Sequence, residues 1–188
     1  MMVVLISCLR SFTGKNLGRI IFKTSVLSER NYLWELKTSI VSKNVAAYIL
    51  VRQPQSCEAM KTQKLCYYAQ AWYLARYGVP LFAHDFEAWW SGPVSPSLYK
   101  YHAGMIDFPA DKLLQLAEPD ALLQEDQVFV DKVLTVYGRY TGLQLQWMAQ
   151  AQDPWKNTRE AYMAGKMGDR RVCEQCIIDY YSKFLHTQ

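Results

Sequence analysis

The stretch from Met60 to Tyr77 most constrains the fold, because it predicts a helix that is apolar over most of its circumference. Two neighbouring stripes at helical spacing carry apolar side chains, and such a helix lies inside a bundle. Gly78 then supplies the left-handed C-cap, and Pro80 prevents the helix from continuing. The sequence predicts a compact, mainly α domain around a central helix at about 60–77. The two stripes are Leu65, Tyr68, Ala69, Trp72 and Ala75, and Tyr67, Ala71 and Leu74.

A different pattern follows this helix. Residues 86–90 alternate with a period of two, which is typical of a strand or an extended segment. Gly92 and Pro93 predict a loop of defined conformation, and Ser95-Pro96 is a good helix start. We therefore expect at most a short extended or β element near residues 82–94, followed by a helix that Gly104 closes.

The remaining pattern is helical. We expect a helix from Ser42 or Asn44 up to Pro54, and an irregular stretch at 107–120 that Pro109 and Pro119 interrupt. Further helices are predicted at 129–140, at 143–151, from Asp153 onward, and from about Asp169 to 184.

Charge divides the chain into two parts. Residues 1–43 hold seven Lys and Arg against two Glu, whereas the remainder holds 14 basic and 15 acidic residues. We therefore expect a basic N-terminal extension at 1–43, outside a helical domain at 44–188. A near-neutral domain argues against nucleic acid as a partner, except through the basic segment as a DNA-binding regulator. No stretch approaches about 20 apolar residues, so no membrane span is expected.

The cysteines predict no disulfide framework. Five cysteines at irregular spacing are typical of a protein of the reducing cytoplasm. Cys173 and Cys176 lie on the same stripe as Ile177, so we interpret both as core residues. A zinc site would need a second ligand pair, and a redox pair would need a preceding strand and a helix N-terminus. We expect neither metal nor cofactor.

Two readings are open for the charged and aromatic residues after the central helix. His84 or His102 with a nearby acid would make a small hydrolase-like enzyme, although no nucleophile or base is specified. Glu87 would pair with Lys64 or Arg76, or would face a partner.

The aromatic residues favour a binding surface over an enzyme. Trp89 and Trp90 are adjacent, so in an extended segment they point to opposite faces and one of them is exposed. An exposed aromatic beside a rigid turn is a typical interaction hot spot. The candidate partner-binding residues are Glu87, Trp89, Trp90, Pro93 and Tyr99.

In this order and spacing, residues of the stretch 44–184 resemble the Panacea domain family, the SocA-like antitoxins that are also described as phage-associated GepA-type proteins. The segment Val45–Leu50 resembles the first helix of that family. Two positions depart from the family pattern: Ala149-Gln150 replaces a Thr-His pair, and Trp90-Ser91 replaces a basic-aromatic pair. The residues that carry the resemblance are Gln63, Lys64, Leu65, Tyr67, Trp72, Gly78, Phe82, Ala88, Trp89, Gly92, Pro93, Val94, Pro96, Pro154 and Trp155.

The resemblance implies an antitoxin and no enzymatic activity. Such a protein neutralises a cognate toxin, typically encoded beside it, by direct protein–protein binding. In one branch of the family the domain is an adaptor that delivers its toxin to a Clp-type protease. The resemblance leaves the identity of the toxin open.

Overall fold

The computed structural model describes residues 42–53, 58–83 and 86–185. Within these ranges the chain forms eight α-helices and one two-stranded antiparallel sheet, which confirms the predicted mainly α fold. The helices are α1 (Ser42–Arg52), α2 (Ala59–Tyr77), α3 (Pro96–Tyr99), α4 (Ala110–Leu116), α5 (Gln124–Tyr137), α6 (Gly142–Gln150), α7 (Asp153–Met163) and α8 (Glu174–Leu185). The strands are β1 (Glu87–Trp89) and β2 (Gly92–Val94), and a 3-10 turn spans Pro119–Ala121.

Helix α2 forms the centre of the domain, as its sequence predicts. Every residue from Lys61 to Leu74 is buried, and α2 packs against α1, α5, α6, α8 and β2. Burial on all sides explains why its apolar residues do not form a single stripe. Gly78 has φ 68° and donates its N–H to the carbonyl of Leu74 at 2.8 Å, so the helix ends as predicted.

Aromatic rings fill the space around α2. Tyr68 stacks on Tyr137 with 4.0 Å between the ring centroids, and Trp72 meets Tyr181 edge to face at 4.9 Å. The indole N–H of Trp72 donates to the hydroxyl of Tyr137 at 2.9 Å, so the polar edges of these buried rings are paired. The core therefore joins α2, α5 and α8 by specific ring contacts.

Gln70 attaches the chain that leaves α2 to the helix itself. Its buried side-chain oxygen accepts the N–H groups of Leu81 and Phe82 at 3.1 and 3.3 Å, and its Nε2 donates to the carbonyl of Phe82 at 3.3 Å. A loop that crosses a core must have its backbone groups paired, and one glutamine pairs three of them. This fixes the direction in which the chain enters β1.

The structure corrects three predictions of where elements begin and end. The helix that begins at Pro96 ends at Tyr99 and not at Gly104. The stretch 107–120 is not irregular, because it contains α4 and the beginning of the 3-10 turn. The last helix begins at Glu174 and not near Asp169, because residues 170–172 run alongside β1. The N–H of Ala88 donates to the carbonyl of Arg170 at 2.7 Å, and that of Val172 donates to the carbonyl of Phe86 at 2.8 Å.

The late start of α8 also overturns the interpretation of Cys173 and Cys176 as core residues. Both are exposed, whereas the buried residues of α8 are Ile177 and Tyr181. Cys173 precedes the first turn, so it does not share the helical stripe on which the prediction relied.

Several sequence predictions fall outside the described residues. These are almost all of the basic extension at 1–43, Pro54 at the end of the first predicted helix, and His84. Among the helices that the structure describes, none has the length and apolar character needed to cross a bilayer.

Candidate partner-binding surface

The predicted extended element is a tight hairpin that comprises residues 87–94. Glu87 faces Val94, Ala88 faces Pro93 and Trp89 faces Gly92, so Trp90 and Ser91 form the turn. Gly92 has φ 90°, and a Cβ atom there would lie 3.0 Å from Cε of Lys64. Glycine is therefore required both for the backbone conformation and for the close approach to α2.

Gln63 and Lys64 hold the returning strand against α2. The amide of Gln63 pairs with both backbone groups of Ser95, donating to its carbonyl at 3.2 Å and accepting its N–H at 3.0 Å. Lys64 donates from Nζ to the carbonyl of Pro93 at 3.0 Å. Gln63 and Lys64, two of the residues that carry the family resemblance, thus connect the central helix to the hairpin.

Lys64 is buried without a carboxylate partner among the described residues, and its hydrogen-bond partner there is the Pro93 carbonyl. Burial lowers its pKa to about 7, because an apolar environment disfavours the ammonium form. The charge of the Lys64 side chain therefore depends on pH near neutrality.

Helices α6 and α7 hold the other edge of the hairpin through three consecutive backbone carbonyls. Arg159 donates to Ala88 at 3.2 Å, Trp155 donates from its indole to Trp89 at 3.0 Å, and Gln150 donates to Trp90 at 2.6 Å. Trp155, which together with Pro154 carries part of the family resemblance, therefore helps to position the turn. Gln150, a departure from the family pattern, takes part in the same set of contacts.

Trp89 is half-buried in a polar and aromatic setting. Its ring lies 4.9 Å from that of Tyr99, and the guanidinium of Arg170 lies 5.3 Å from its centroid. Its indole N–H donates to Oε2 of Glu87 at 2.7 Å, and the same oxygen is 3.1 Å from Nη2 of Arg170. The predicted pairing of Glu87 with Lys64 or Arg76 is thus wrong, because its partner is Arg170.

Trp90 is 80% exposed at the tip of the turn. Its neighbours in the fold are the guanidinium of Arg159, 5.8 Å from the ring centroid, and Gln150 at its carbonyl. The two adjacent tryptophans therefore separate as the sequence predicts, with one packed against the domain and the other exposed to solvent. Pro93 is buried in β2, so its role at this surface is to shape the hairpin.

A groove of about 380 Å³ adjoins the hairpin. We call it the hairpin groove; Lys64, Trp89, Tyr99, His102, Met105 and Ile106 are part of its lining. Met105 and Ile106 are 54% and 82% exposed, so apolar side chains continue from the groove to the surface. Met105 and Ile106 are not among the residues predicted for this surface, although an apolar pair directly after Gly104 is a detectable signal.

His102 is buried in the turn that follows α3. Its Nε2 lies 3.0 Å from Nε2 of Gln63, and its ring lies 4.9 Å from that of Phe108. Burial lowers its pKa, so the neutral ring is favoured and its Nε2 accepts from the Gln63 amide. The imidazole is therefore part of the same network that holds Ser95.

A second cavity of about 230 Å³ lies between α2, α5, α6 and α8. Its wall is mainly aromatic, and several of its polar groups are paired within the protein: Tyr181 donates to Gln152 at 2.6 Å, and Tyr137 accepts from Trp72. In the described part of the chain no three His, Cys, Asp or Glu side chains are grouped to hold a metal ion.

Comparison with known protein families identifies the family of this chain. Residues 62–156 match the family model described as antitoxin SocA-like, Panacea domain. The matched range contains most of α2, the whole hairpin, the hairpin groove from Gln63 onward, and Trp155. Searches of curated proteins and of solved structures give no significant match.

Proposed function

Since this chain belongs to the SocA-like, Panacea-domain family of antitoxins, we propose that it is the antitoxin of a toxin–antitoxin pair. It neutralises a cognate toxin in the cytoplasm by direct binding, and the toxin is encoded next to it. The binding surface comprises the tip of the hairpin and the rim of the hairpin groove, with Trp89, Trp90, Tyr99, Met105 and Ile106 as contact residues.

The exposure of Trp90 is the observation that carries this proposal. A tryptophan that is 80% exposed leaves a large apolar surface in water, which a partner would bury. The backbone carbonyls of Trp89 and Trp90, one on each side of the Trp90 Cα atom, are held by Trp155 and Gln150. A residue displayed on a fixed backbone loses little conformational entropy on binding, as interaction hot spots require.

The hairpin groove supplies the second part of the surface. Its mixture of exposed apolar side chains with the half-buried rings of Trp89 and Tyr99 is typical of a protein-recognition patch. Glu87 contributes by holding Trp89 and Arg170 in place, because its carboxylate contacts both. Pro93 contributes by shaping β2.

The contacts of His102 favour a binding function over a catalytic one. Its Nε2 is engaged with Gln63, and its ring packs against Tyr99 and Phe108, so the group that an enzyme would use as a base supports the loop instead. This argues against the hydrolase-like alternative at His102. The alternatives that involve His84 and the basic segment 1–43 concern residues outside the described ranges.

Co-expression of this chain with the product of the adjacent gene tests the proposal. We expect that product to arrest growth alone, growth to resume with this chain, and the two proteins to co-purify in a fixed ratio. A neighbouring product that is harmless alone, or that stays toxic in the presence of this chain, would contradict the proposal. A toxin whose level falls on co-expression, and recovers when Clp-type proteases are absent, would identify delivery to a protease as the mechanism.

A further inference from the structure

Cys173 and Cys176 lie at the N-terminus of α8, close to the hairpin. Both are exposed, whereas Cys66, the third cysteine that the structure describes, is buried. The proposed antitoxin function assigns no role to this pair. Its sequence pattern, two cysteines separated by two residues, is the spacing of known dithiol redox motifs.

The two cysteines are in contact. The carbonyl of Cys173 accepts the first helical hydrogen bond, from the N–H of Ile177 at 3.1 Å, so Cys173 is the N-cap. The N–H of Cys176 donates to Sγ of Cys173 at 3.4 Å. An N-cap residue has a non-helical backbone, which lets its side chain fold back over the first turn.

The segment before Cys173 is extended and fixed. Residues 170–172 pair with β1 through the Ala88–Arg170 and Val172–Phe86 hydrogen bonds. Glu87 also forms an isolated antiparallel bridge with Arg171. The dithiol thus follows a strand-like segment and begins a helix, the setting that a redox-active pair needs.

We propose that Cys173 and Cys176 form a reversible intramolecular disulfide by exchange with a low-molecular-weight disulfide of the glutathione class. Cys173 loses its proton and its sulfur attacks the small disulfide, whose S–S bond breaks and releases one thiolate that takes up the proton. Cys176 then loses its proton and attacks Sγ of Cys173, releasing the second small thiol. Two protein thiols are oxidised to one disulfide, and one small disulfide is reduced to two thiols.

The order of the two steps follows from the surroundings of Cys176. Partial desolvation of its sulfur and the neighbouring Cys173 side chain raise the pKa of Cys176 to about 11, so this residue stays a thiol at neutral pH. Cys173 is therefore the sulfur that attacks first, and Cys176 is the resolving residue.

Mass analysis of one tryptic peptide tests the proposal. Trypsin releases residues 172–183, which contain Cys173 and Cys176 and no other cysteine. The full chain is equilibrated with mixtures of reduced and oxidised glutathione, acid-quenched, alkylated and digested. After incubation in oxidised glutathione, we expect this peptide to carry no alkyl group and to be two hydrogens lighter than the unmodified peptide. After incubation in excess reduced glutathione, we expect it to carry two alkyl groups. We expect at least about tenfold more internal disulfide than glutathione adduct, because the second thiol acts intramolecularly.

Three variants complete the experiment. Cys176→Ser should accumulate the mixed disulfide on Cys173, Cys173→Ser should abolish the internal disulfide, and Cys66→Ser should leave it unchanged. A wild-type peptide that stays fully alkylated, or that carries only separate glutathione adducts, would overturn the proposal. Circular dichroism establishes that each variant is folded. The readout does not involve a toxin, so its outcome is independent of the proposed antitoxin function.

Discussion

The indole N–H of Trp155 donates a hydrogen bond of 3.0 Å to the backbone carbonyl of Trp89. One residue thus lies in the first turn of α7 and the other at the end of β1, immediately before the exposed Trp90. Gln63 and Lys64 hold the opposite strand of the same hairpin. Three of the residues that carry the family resemblance, Gln63, Lys64 and Trp155, therefore fix a short hairpin between α2 and α7.

Trp155→Phe should loosen the hairpin while preserving its packing. The change removes one N–H donor and leaves the carbonyl of Trp89 without this partner, so we expect a loss of about 1 kcal/mol in the free energy of unfolding. Chemical denaturation measures it, and hydrogen exchange should show faster exchange in the hairpin. Trp147→Phe is the matched control, because Trp147 is 60% exposed and should change stability by less than about 0.5 kcal/mol. Equal effects in the two variants would contradict this role of Trp155.

Gln63→Leu should destabilise the domain more than loss of an ordinary hydrogen bond. The buried backbone N–H of Ser95 and the buried Nε2 of His102 would both lose their Gln63 partner, which costs about 2–4 kcal/mol for two such groups; the carbonyl of Ser95 keeps the N–H of Tyr99 as its donor. Gln175→Leu removes an exposed glutamine that contacts Asp179 and should be nearly neutral. Urea denaturation of both variants measures the difference, and a loss below about 1 kcal/mol for Gln63→Leu would refute the prediction.

Lys64 should make stability increase with pH above neutrality. Its pKa is about 7 in the folded protein and about 10.4 in an unfolded chain. Between these values the unfolded state binds more protons, so the free energy of unfolding rises with pH, by on the order of 1 kcal/mol per pH unit. The cost of burying this lysine is greatest below pH 7 and vanishes above about pH 10.4.

Lys64→Met tests this pH dependence. Between pH 7 and 10 the free energy of unfolding of this variant should rise less steeply with pH than that of the wild type. Loss of the hydrogen bond to Pro93 should shift the curve by a constant amount, which leaves this slope unaffected. Lys112, which is exposed, provides the control, since Lys112→Met should keep the wild-type slope. Unfolding is followed at several pH values, and parallel curves for wild type and Lys64→Met would rule out the prediction.

Gly92→Ala should be more destabilising than Gly104→Ala. Both glycines have positive φ, 90° and 75°, but a new Cβ at Gly92 would lie 3.0 Å from Cε of Lys64, whereas Gly104 has open space. Both variants incur the backbone cost of about 1 kcal/mol, and only Gly92→Ala must also displace a lysine that is bound to Pro93. Thermal unfolding compares them, and an equal loss would show that the close approach is unimportant.

Trp90→Ala should weaken binding of the proposed toxin without unfolding the domain. Removal of a hot-spot tryptophan costs about 2 kcal/mol or more, which corresponds to about a 30-fold increase in Kd. Val128→Ala is the control, because Val128 is 41% exposed on α5 and belongs neither to the hairpin nor to the groove lining. Titration calorimetry with the purified toxin measures both. An unchanged Kd for Trp90→Ala would place the interface elsewhere on the domain.

Features that depend on residues close together in the sequence could be predicted from it. The central helix and its Gly78 cap were predicted correctly, and the helix start at Ser95-Pro96 is confirmed by the bond from the N–H of Leu98 to Oγ of Ser95. These signals are local, because periodicity, caps and prolines act within one or two turns. The separation of Trp89 from Trp90 could be predicted for the same reason.

Only the tertiary structure determined which distant residues meet. No spacing in the sequence pairs Gln63 with Ser95 or Glu87 with Arg170, because each hydrogen bond or ion pair depends on how whole elements pack. Long-range packing also explains why Cys173 is not a core residue. The pairing of residues 170–172 with β1 delays the start of α8, so Cys173 lies outside the helical stripe. The sequence by itself thus determined the central helix and its cap, whereas long-range packing decided which rings surround that helix and how the hairpin is held.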